Sequence, residues 1–319
     1  MRVLVTGSNG FVGRAVVADA RQRGWQVVGL GRAPRPTAPV DDYVRHDLAR
    51  PLVPDAIPGD VDAVIHCAGL SSPWARSAEF VAANVDGTRH LIRWARAHGR
   101  PHVVHVSSTS VLYRDADQFD LSEHSPVVPD AEQINVYART KAIGERVAAR
   151  YDGDLAVLRP RAVFGVGDTV LLPRILRLAQ GGVLPRMEDP ARPVTIDLVE
   201  IHTCAHYLTE AVARRTVGTY NLTNAAPVQL YPFVLEVLDR LGAQPRTVRV
   251  SPRVVRAAAA VAEQVSATLL DWREPPITRF GVSVLSRSKT FDVRSTVRDL
   301  GAPAVSLDEG VRRIVHAYS

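Results

Sequence analysis

Short, continuous apolar segments alternate with longer amphipathic segments along the first half of the chain. The apolar runs predict buried strands at residues 3–6, 26–30, 63–66, 102–107 and 155–159. Between them, apolar positions at helical spacing predict helices at residues 12–23, 78–98 and 136–151. Such alternation is typical of parallel strands joined by right-handed crossovers. The pattern therefore predicts an α/β fold, a doubly wound parallel sheet with helices on both faces.

The pattern becomes less regular after Pro160, where prolines interrupt the chain. Helices are predicted near residues 175–180, 201–214, 232–241 and 252–270. Short extended segments are predicted at residues 194–198, 219–222 and 247–250. We therefore expect a sheet domain in residues 1–165 and a smaller, mostly helical C-terminal lobe in residues 166–319, from which some strands return to the sheet.

Glycines are evenly spaced where the first predicted strand meets the first predicted helix, as Gly7-x-x-Gly10-x-x-Gly13. The first glycine permits a tight turn, the second lets the backbone approach a phosphate, and the third allows close packing of helix on strand. Unpaired N–H groups and the positive end of the helix dipole then face the phosphates. This spacing predicts a dinucleotide-binding loop. Its predicted cofactor contacts are Gly7, Asn9, Gly10, Phe11, Val12 and Gly13.

The end of the second predicted strand indicates which dinucleotide is bound. A site for NAD places an acidic residue there, on the ribose 2′-hydroxyl. Gly31 occupies that position and Arg32 follows it. A guanidinium can form paired hydrogen bonds with a 2′-phosphate, and no carboxylate repels that phosphate. We therefore predict NADP rather than NAD, with weaker support for Arg35 as a second contact; the alternative is that Arg32 is a solvated surface residue.

A tyrosine and a lysine lie four residues apart in the predicted helix at 136–151, as Tyr137-x-x-x-Lys141. This spacing places both side chains on one helix face. A tyrosine with an ordinary pKa of about 10 needs a neighbouring cation to transfer protons at neutral pH, and Lys141 supplies one. Alone, this pair is common on helix surfaces. Together with the glycine loop it indicates a catalytic tyrosine.

Composition narrows the function further. Of 319 residues, 46% are hydrophobic and 23% charged, with a net charge of +6. The basic residues are scattered and form no run interleaved with aromatics, so we expect a small-molecule substrate and no nucleic acid.

Two cysteines, Cys67 and Cys204, cannot build a disulfide framework, which predicts a cytoplasmic protein. We expect no membrane association, because the most apolar long stretch, residues 254–270, carries Arg256 and Glu263 and is typical of an amphipathic helix.

These motifs together resemble the extended short-chain dehydrogenase/reductase family, within the NAD-dependent epimerase/dehydratase superfamily. The motifs that carry the resemblance are Thr6 to Gly13, Val106-Ser107-Ser108 and Tyr137-x-x-x-Lys141. Further segments are similar to the 3β-hydroxysteroid dehydrogenase-like branch, which includes bacterial 2-alkyl-3-ketoalkanoate reductases. These segments lie at residues 158–165, 274–280, 291–294, 299–301 and 305–310. The resemblance implies a Rossmann-type sheet and covers nearly the whole chain.

The resemblance also implies roles for particular residues. Ser108, Tyr137 and Lys141 match the catalytic positions, with Thr109 as the alternative hydroxyl. Asp47 matches a contact to the adenine amino group, and Asn84 matches a position that braces the active site. The full set of implied cofactor contacts beyond the glycine loop and Arg32 is Asp47, Leu48, Cys67, Ala68, Gly69, Asn84, Ser107, Tyr137, Lys141, Pro160, Ala162 and Val163. In many relatives the helices matching 78–98 and 136–151 form a homodimer contact.

The function expected from these residues is NADP(H)-dependent reduction of an apolar ketone, or the reverse oxidation. In reduction, Ser108 and Tyr137 would hydrogen-bond the carbonyl oxygen, Tyr137 would deliver the proton, and Lys141 would hold the nicotinamide ribose. The substrate is expected to be a β-keto acid, a steroid-like ketone or a natural-product intermediate. Two alternatives stay open: a nucleotide-sugar epimerase with bound NAD, and a catalytically silent dinucleotide sensor.

Some residues depart from the family pattern or invite other functions. Leu112-Tyr113-Arg114 stands where Tyr-Gly is frequent, and Val166 where proline is frequent, which should alter the pocket wall. His202 and His206 have the spacing of two metal ligands but lack an evident third, so no metal is expected. Candidate walls of the substrate pocket, for each of which core packing in the smaller lobe is the favoured explanation, are Trp74, Phe164, Leu171, Met187 and Phe280.

Overall fold

The computed structural model describes residues 1–168, 172–189 and 191–318. Its strands are β1 (Arg2–Thr6), β2 (Gln26–Gly31), β3 (Asp42–Arg45), β4 (Ala63–His66), β5 (His102–Val106), β6 (Gln118–Leu121), β7 (Leu155–Pro160), β8 (Val163–Phe164), β9 (Val183–Arg186), β10 (Thr195–Ile196), β11 (Val199–Glu200), β12 (Gly218–Leu222), β13 (Val228–Gln229), β14 (Arg246–Arg249) and β15 (Lys289–Phe291). Its α-helices are α1 (Phe11–Gln22), α2 (Ser77–Val81), α3 (Gly87–Ala97), α4 (Val136–Ala148), α5 (Leu172–Gln180), α6 (Ile201–Ala213), α7 (Leu230–Arg240), α8 (Pro252–Leu269), α9 (Arg279–Ser286), α10 (Arg294–Leu300) and α11 (Leu307–Tyr318).

A seven-stranded sheet in the order β12-β7-β5-β4-β1-β2-β3 forms the centre of the fold. All its pairings are parallel, which confirms the predicted doubly wound sheet. The central strands β4 and β5 are buried along their whole length, as expected for strands covered by helices on both faces. The direction in which successive strands are added to the sheet reverses at β1, whose neighbours are β2 and β4. Ligands of such sheets bind at the carboxyl ends of the strands where this reversal occurs.

Successive side chains of β1 point into two separate cores. Val3 and Val5 pack with α1 and α6, whereas Leu4 packs with α3. This alternation follows from the two-residue period of a strand and places helical layers on both faces. α6 contacts α1 and strands β4, β5 and β7. Consequently α6 and β12, which follow residue 165, complete the layers and edge of the sheet.

Two elements of the sheet half differ from the sequence prediction. β3 was not predicted, because its residues are only half-buried or exposed and lack an apolar run. The helix predicted at 78–98 is divided into α2 and α3 by a π-helical turn at Ala82–Asp86. Such turns insert one extra residue into a helix and often occur at functional sites.

The remaining elements form the smaller lobe. Its core includes side chains of β10, α7 and α11, and a second sheet runs in the order β13-β10-β15-β6. α8 is the long amphipathic helix expected near 252–270 and packs against α9. Among the described residues, no helix is both long and apolar enough to cross a membrane.

Candidate active site

The glycine loop makes the tight turn that its spacing predicts. Gly7 has φ of +67°, a conformation that favours glycine, and its N–H donates to Leu30 O at 2.7 Å. A Cβ on Gly13 would lie 2.1 Å from Gly7 O, so only glycine permits this packing of α1 against the loop. Gly10 caps α1, and no acidic residue lies in the first turn. The start of α1 therefore presents backbone N–H groups without a competing carboxylate.

Asn9 joins this loop to the segment that follows β2. Its Nδ2 donates to Arg35 O at 3.0 Å, and its Oδ1 accepts from Thr37 N–H at 3.0 Å. Asn9 Nδ2 also lies 3.3 Å from the Tyr43 hydroxyl of β3. The contacts of Asn9 thus organise the region where an adenosine ribose would lie.

The carboxyl end of β2 lacks an acidic side chain and has two arginines near it, Arg32 and Arg45. Gly31 pairs in register with Arg45 of β3, and a Cβ on Gly31 would lie 2.9 Å from the Tyr43 hydroxyl. Arg32 and Arg45 are exposed and form no ion pair with any described residue. Sequence reasoning missed Arg45, because its position beside Gly31 depends on the pairing of β3 with β2.

Asp47 and Leu48, the two predicted cofactor contacts that follow β3, differ in burial. Asp47 is exposed, and its Oδ1 accepts from Ala49 N–H at 3.0 Å. Leu48 is buried, and its carbonyl accepts a hydrogen bond from His90 Nδ1 at 2.8 Å. Asp47 is therefore the more accessible of the two to a ligand.

Ser108 lies directly after β5, at the carboxyl edge of the sheet. Its Oγ accepts hydrogen bonds from Ser110 N–H at 3.2 Å and from Ser110 Oγ at 3.0 Å. Thr109 is 1% exposed, and its hydroxyl pairs with the Tyr113 hydroxyl at 2.9 Å. Of the two candidate hydroxyls, Ser108 is the one with access to the site.

Tyr137 lies in the first turn of α4, next to Ser108. Asn135 caps this helix by accepting Ala138 N–H at 2.8 Å, which fixes where the helix begins. Burial raises the pKa of Tyr137, and the neighbouring Ser108 hydroxyl, which can hydrogen-bond the phenolate, opposes that rise. The lowered pKa expected from Lys141 is not seen in the protein alone. The phenol is therefore protonated at neutral pH.

Lys141 lies one turn further along α4 and is 7% exposed. Its Nζ donates to Val106 O at 2.6 Å, and burial lowers its pKa to about 8. A Cβ on Gly69 would lie 3.8 Å from this Nζ and 2.9 Å from Asn84 Oδ1. The absence of a side chain at Gly69 thus lets the loop after β4 pass close to the lysine ammonium.

Asn84 connects the loop after β4 to α4. Its Oδ1 accepts from Leu70 N–H at 2.8 Å, and its Nδ2 donates to Thr140 Oγ1 at 3.1 Å. Asn84 lies in the π-helical turn and is 2% exposed. Its side chain therefore fixes the spacing between the Gly69 loop and the helix that carries Tyr137 and Lys141.

The other predicted cofactor contacts line the same edge. Cys67 is partly exposed, although burial of its thiol raises its pKa to about 12, and Ala68 N–H donates to Thr6 Oγ1 at 3.2 Å. Ser107 donates its hydroxyl to Glu145, which forms a buried ion pair with Arg159 at 2.6 Å. The Ser107 side chain is thereby occupied, and only its backbone remains for a ligand.

The turn after β7 brings the chain back to the same edge. Pro160 O accepts from Thr109 Oγ1 at 3.4 Å, Ala162 has φ of +39°, and Val163 starts β8. Between Pro160 and Ala162, Arg161 is buried, and its Nε and Nη2 have no hydrogen-bond partner among the described residues. Sequence reasoning did not single out Arg161 as a functional residue.

The NAD dependent epimerase/dehydratase family model matches residues 3–223, more than half of the chain. The chain belongs to this family. It is 34% identical to a 2-alkyl-3-oxoalkanoate reductase of Stenotrophomonas maltophilia (strain K279a), over 98% of each chain. It is 25% identical to a 3-beta-hydroxysteroid dehydrogenase of Mycolicibacterium neoaurum, over 100% of this chain and 91% of that one.

This member of the NAD dependent epimerase/dehydratase family is an oxidoreductase of the extended short-chain dehydrogenase/reductase type, as the sequence motifs predict. Its fold resembles that of MoeE5, solved in complex with UDP-glucose and NAD. The TM-score is 0.74 at 24% identity, over 99% of this chain and 98% of that chain. At this identity the likeness shows the fold alone.

Several candidate pocket residues of this family member serve packing. Phe164 and Met187 are buried in the hydrophobic cores of the smaller lobe. Phe280 packs against a cluster that includes Tyr113, and Leu171 lies outside the described residues. Trp74 stacks on Trp272 with ring centroids 5.2 Å apart and so connects the loop after β4 to the smaller lobe.

The two histidines at metal-ligand spacing have protein partners instead. His202 Nδ1 lies 2.7 Å from Glu200 Oε1, and His206 Nδ1 lies 3.1 Å from Arg23 Nη2. Among the described residues, no group of three or more metal-ligating side chains comes together.

Proposed function

We propose that this protein is an NADP(H)-dependent ketone reductase that uses Ser108, Tyr137 and Lys141, and that its substrate is a ketone with an apolar chain, such as a β-keto acid or a steroid-like ketone. The observation that carries this proposal is the meeting of the Ser108 and Tyr137 hydroxyls at the carboxyl edge of the sheet, with Lys141 one helical turn away. The names of the similar proteins, a 3-oxoalkanoate reductase and a hydroxysteroid dehydrogenase, support a ketone and alcohol pair as the reacting groups.

The cofactor would be held by backbone rather than by side chains at its phosphates. A Cβ on Gly7 or Gly13 would clash with backbone atoms of Ala68 or Gly7, so these glycines hold the loop close to the first turn of α1, whose N–H groups face outward. Lys141 would hold the nicotinamide ribose through its ammonium group. When bound, the nicotinamide supplies or accepts the hydride.

Proton delivery follows from the state of the two hydroxyls. Burial raises the pKa of Tyr137, so the phenol holds the proton that a reduced carbonyl oxygen must receive. Ser108 Oγ already accepts from Ser110, which leaves its own proton free to donate to the same oxygen. Thr109 is excluded from this role in our proposal, because its hydroxyl is committed to Tyr113 and is buried.

A preference for NADP is supported by the charges around Gly31. A carboxylate at position 31 would have to lie against the Tyr43 hydroxyl, whereas Arg32 and Arg45 extend from the ends of adjacent strands. Exposed guanidiniums without ion pairs are free to form paired hydrogen bonds with a phosphate. We therefore assign the 2′-phosphate to Arg32 and Arg45, with Arg35 nearby.

The proposal is tested by initial-rate measurements on purified protein with NADPH or NADH and three substrate types: β-keto acids, steroid ketones and UDP-sugars. We expect turnover of a ketone with NADPH and a clear preference over NADH. Protein that carries tightly bound NAD and interconverts UDP-sugars would support an epimerase instead. Tight NADPH binding without turnover of any ketone would support a silent sensor.

A further inference from the structure

Arg161 is a buried cation with two guanidinium N–H groups to which the described residues offer no hydrogen-bond acceptor. It follows β7 directly and is 4% exposed, and its N–H donates to Leu222 O at 3.0 Å, which fixes the backbone. Its Nε and Nη2 have no hydrogen-bond partner among the described residues. By contrast, Arg159 uses Nε and Nη2 to bind Glu145 at 2.8 and 2.6 Å. A buried guanidinium without hydrogen bonds is costly, so such a group is expected to meet a ligand.

Tyr113 lies between this guanidinium and the segment that carries Ser108. Its central carbon lies 5.3 Å from the centre of the Tyr113 ring. The Tyr113 hydroxyl bonds with Thr109, the residue after Ser108. Tyr113 also acts electrostatically on Tyr137, whose pKa it raises. The Tyr113 ring thus contacts Arg161 on one side and, through its hydroxyl, the residue next to Ser108 on the other.

Nearby charges do not neutralise Arg161 through contact. Asp197 is fully buried, and its Oδ2 accepts from Phe291 N–H at 2.9 Å, but its Oδ1 has no partner among the described residues. Lys289 lies 5.6 Å from the centre of the same Tyr113 ring and adds a second cation. No ion pair joins Arg161 to Asp197 within the part of the chain that the structure describes. Asp115 and Asp117 act on Lys289, whereas Arg161 faces Asp197 without a hydrogen bond to it, so the Nε–H and Nη2–H groups of Arg161 stay available to a negatively charged group.

We propose that Arg161 binds the carboxylate of the substrate, so that the enzyme selects 3-oxo acids over neutral ketones of the same size. This inference rests on the proposed function. A guanidinium matches a carboxylate with two parallel hydrogen bonds, and a buried setting strengthens them. The pairing also has a consequence for the reaction. Negative charge grows on the ketone oxygen during reduction, and an unpaired substrate carboxylate nearby would repel that charge. A carboxylate paired with Arg161 repels it less.

The test compares a 2-alkyl-3-oxoalkanoic acid with its methyl ester, using NADPH and the full-length protein. We expect the wild type to prefer the acid in kcat/KM. Arg161→Met should lower kcat/KM for the acid by about 100-fold and for the ester by less than about threefold. Arg161→Lys should recover part of the loss, because it restores charge without the paired geometry. Arg253→Met, which removes an exposed arginine of α8, is the matched control and should change neither value.

The remaining outcomes separate failure of the carboxylate role of Arg161 from failure of the proposed ketone reductase function. Equal losses on acid and ester in Arg161→Met, or a wild type that does not distinguish them, would overturn the carboxylate role and leave the ketone reductase intact. If the wild type reduces neither compound, the proposed function itself fails. Should Arg161→Met not fold, inhibition of the wild type by a saturated fatty acid and by its amide decides the question. Inhibition by the acid at least about 10-fold tighter supports the role, and equal inhibition overturns it.

Discussion

Two arginines, Arg32 and Arg45, decide the choice of cofactor in our account. Both are exposed, and they extend from β2 and β3 where Gly31 leaves no acidic group. Charge-assisted hydrogen bonds of this kind contribute about 1.5–3 kcal/mol each, or roughly 10- to 100-fold in affinity. Arg32→Ala should therefore weaken NADPH binding by about that factor and leave NADH binding nearly unchanged, as measured by fluorescence titration.

Arg45→Ala should show the same selectivity for NADPH, because the register places Arg45 beside Gly31. Arg249→Ala removes an exposed arginine of β14 and is the matched control, with no expected effect on either cofactor. Equal weakening of NADPH and NADH by Arg32→Ala would contradict a contact with the 2′-phosphate.

At the scale of single elements, the junction of β1 and α1 leaves no room for a side chain at Gly13. Gly13→Ala would place a Cβ 2.1 Å from Gly7 O, so the loop has to move. We expect NADPH binding to weaken by at least about 10-fold and the thermal midpoint to fall, because backbone atoms cannot yield as a flexible side chain can.

Gly87→Ala is the matched control for Gly13→Ala, since both glycines are buried at the start of a helix. A Cβ on Gly87 would meet its nearest atom at 3.5 Å, an ordinary contact. Alanine favours a helix by about 1 kcal/mol over glycine, so stability should hold or rise. If both variants bind NADPH equally well, the close packing at Gly13 is not what shapes the cofactor site.

Two adjacent strands carry buried histidines that link stability to pH. His66 of β4 pairs in register with His105 of β5. Burial lowers the pKa of His66 to about 3 and holds the pKa of His105 well below its usual value. The unfolded chain takes up these protons near pH 6.5, whereas the folded chain does not. The free energy of unfolding should therefore fall as the pH drops below about 6.5.

His105→Leu removes one of the two buried imidazoles and so tests its share of the pH dependence. The change breaks no hydrogen bond, because neither ring nitrogen of His105 has a partner among the described residues. The variant should match the wild type at pH 7 within about 1 kcal/mol. Between pH 6 and 4.5 its urea-unfolding free energy should fall less steeply, by up to about 1.4 kcal/mol per pH unit. Parallel pH profiles for the two proteins would contradict a neutral, buried His105.

Local sequence patterns were sufficient to predict some helices and strands and insufficient to predict others. The buried strands and α1 could be predicted, because their apolar runs and glycines lie close together in sequence. β3 could not, since as a half-exposed strand it carries no apolar period. The π-helical turn that orients Asn84 is also invisible to a pattern of helical spacing. The sequence predicts the order of elements better than their irregularities.

At the scale of the whole molecule, the candidate site joins residues that are distant in the chain. Ser108, Tyr137 and Lys141 could be predicted as site residues because each belongs to a short motif. Arg45 and Arg161 could not, because their proximity to the site depends on strand register and on the packing of Tyr113. Sequence motifs thus indicate the reaction, whereas the residues that we propose to select cofactor and substrate are found only from tertiary contacts.

The central claim is that Tyr137 delivers the proton in an NADPH-dependent ketone reduction. The most direct measurement is kcat of Tyr137→Phe for reduction of a 2-alkyl-3-oxoalkanoic acid, with NADPH affinity measured on the same sample. Loss of a general acid should lower kcat by at least about 100-fold, while NADPH affinity stays within about threefold of the wild type. A Tyr137→Phe enzyme that retains wild-type kcat would contradict the account.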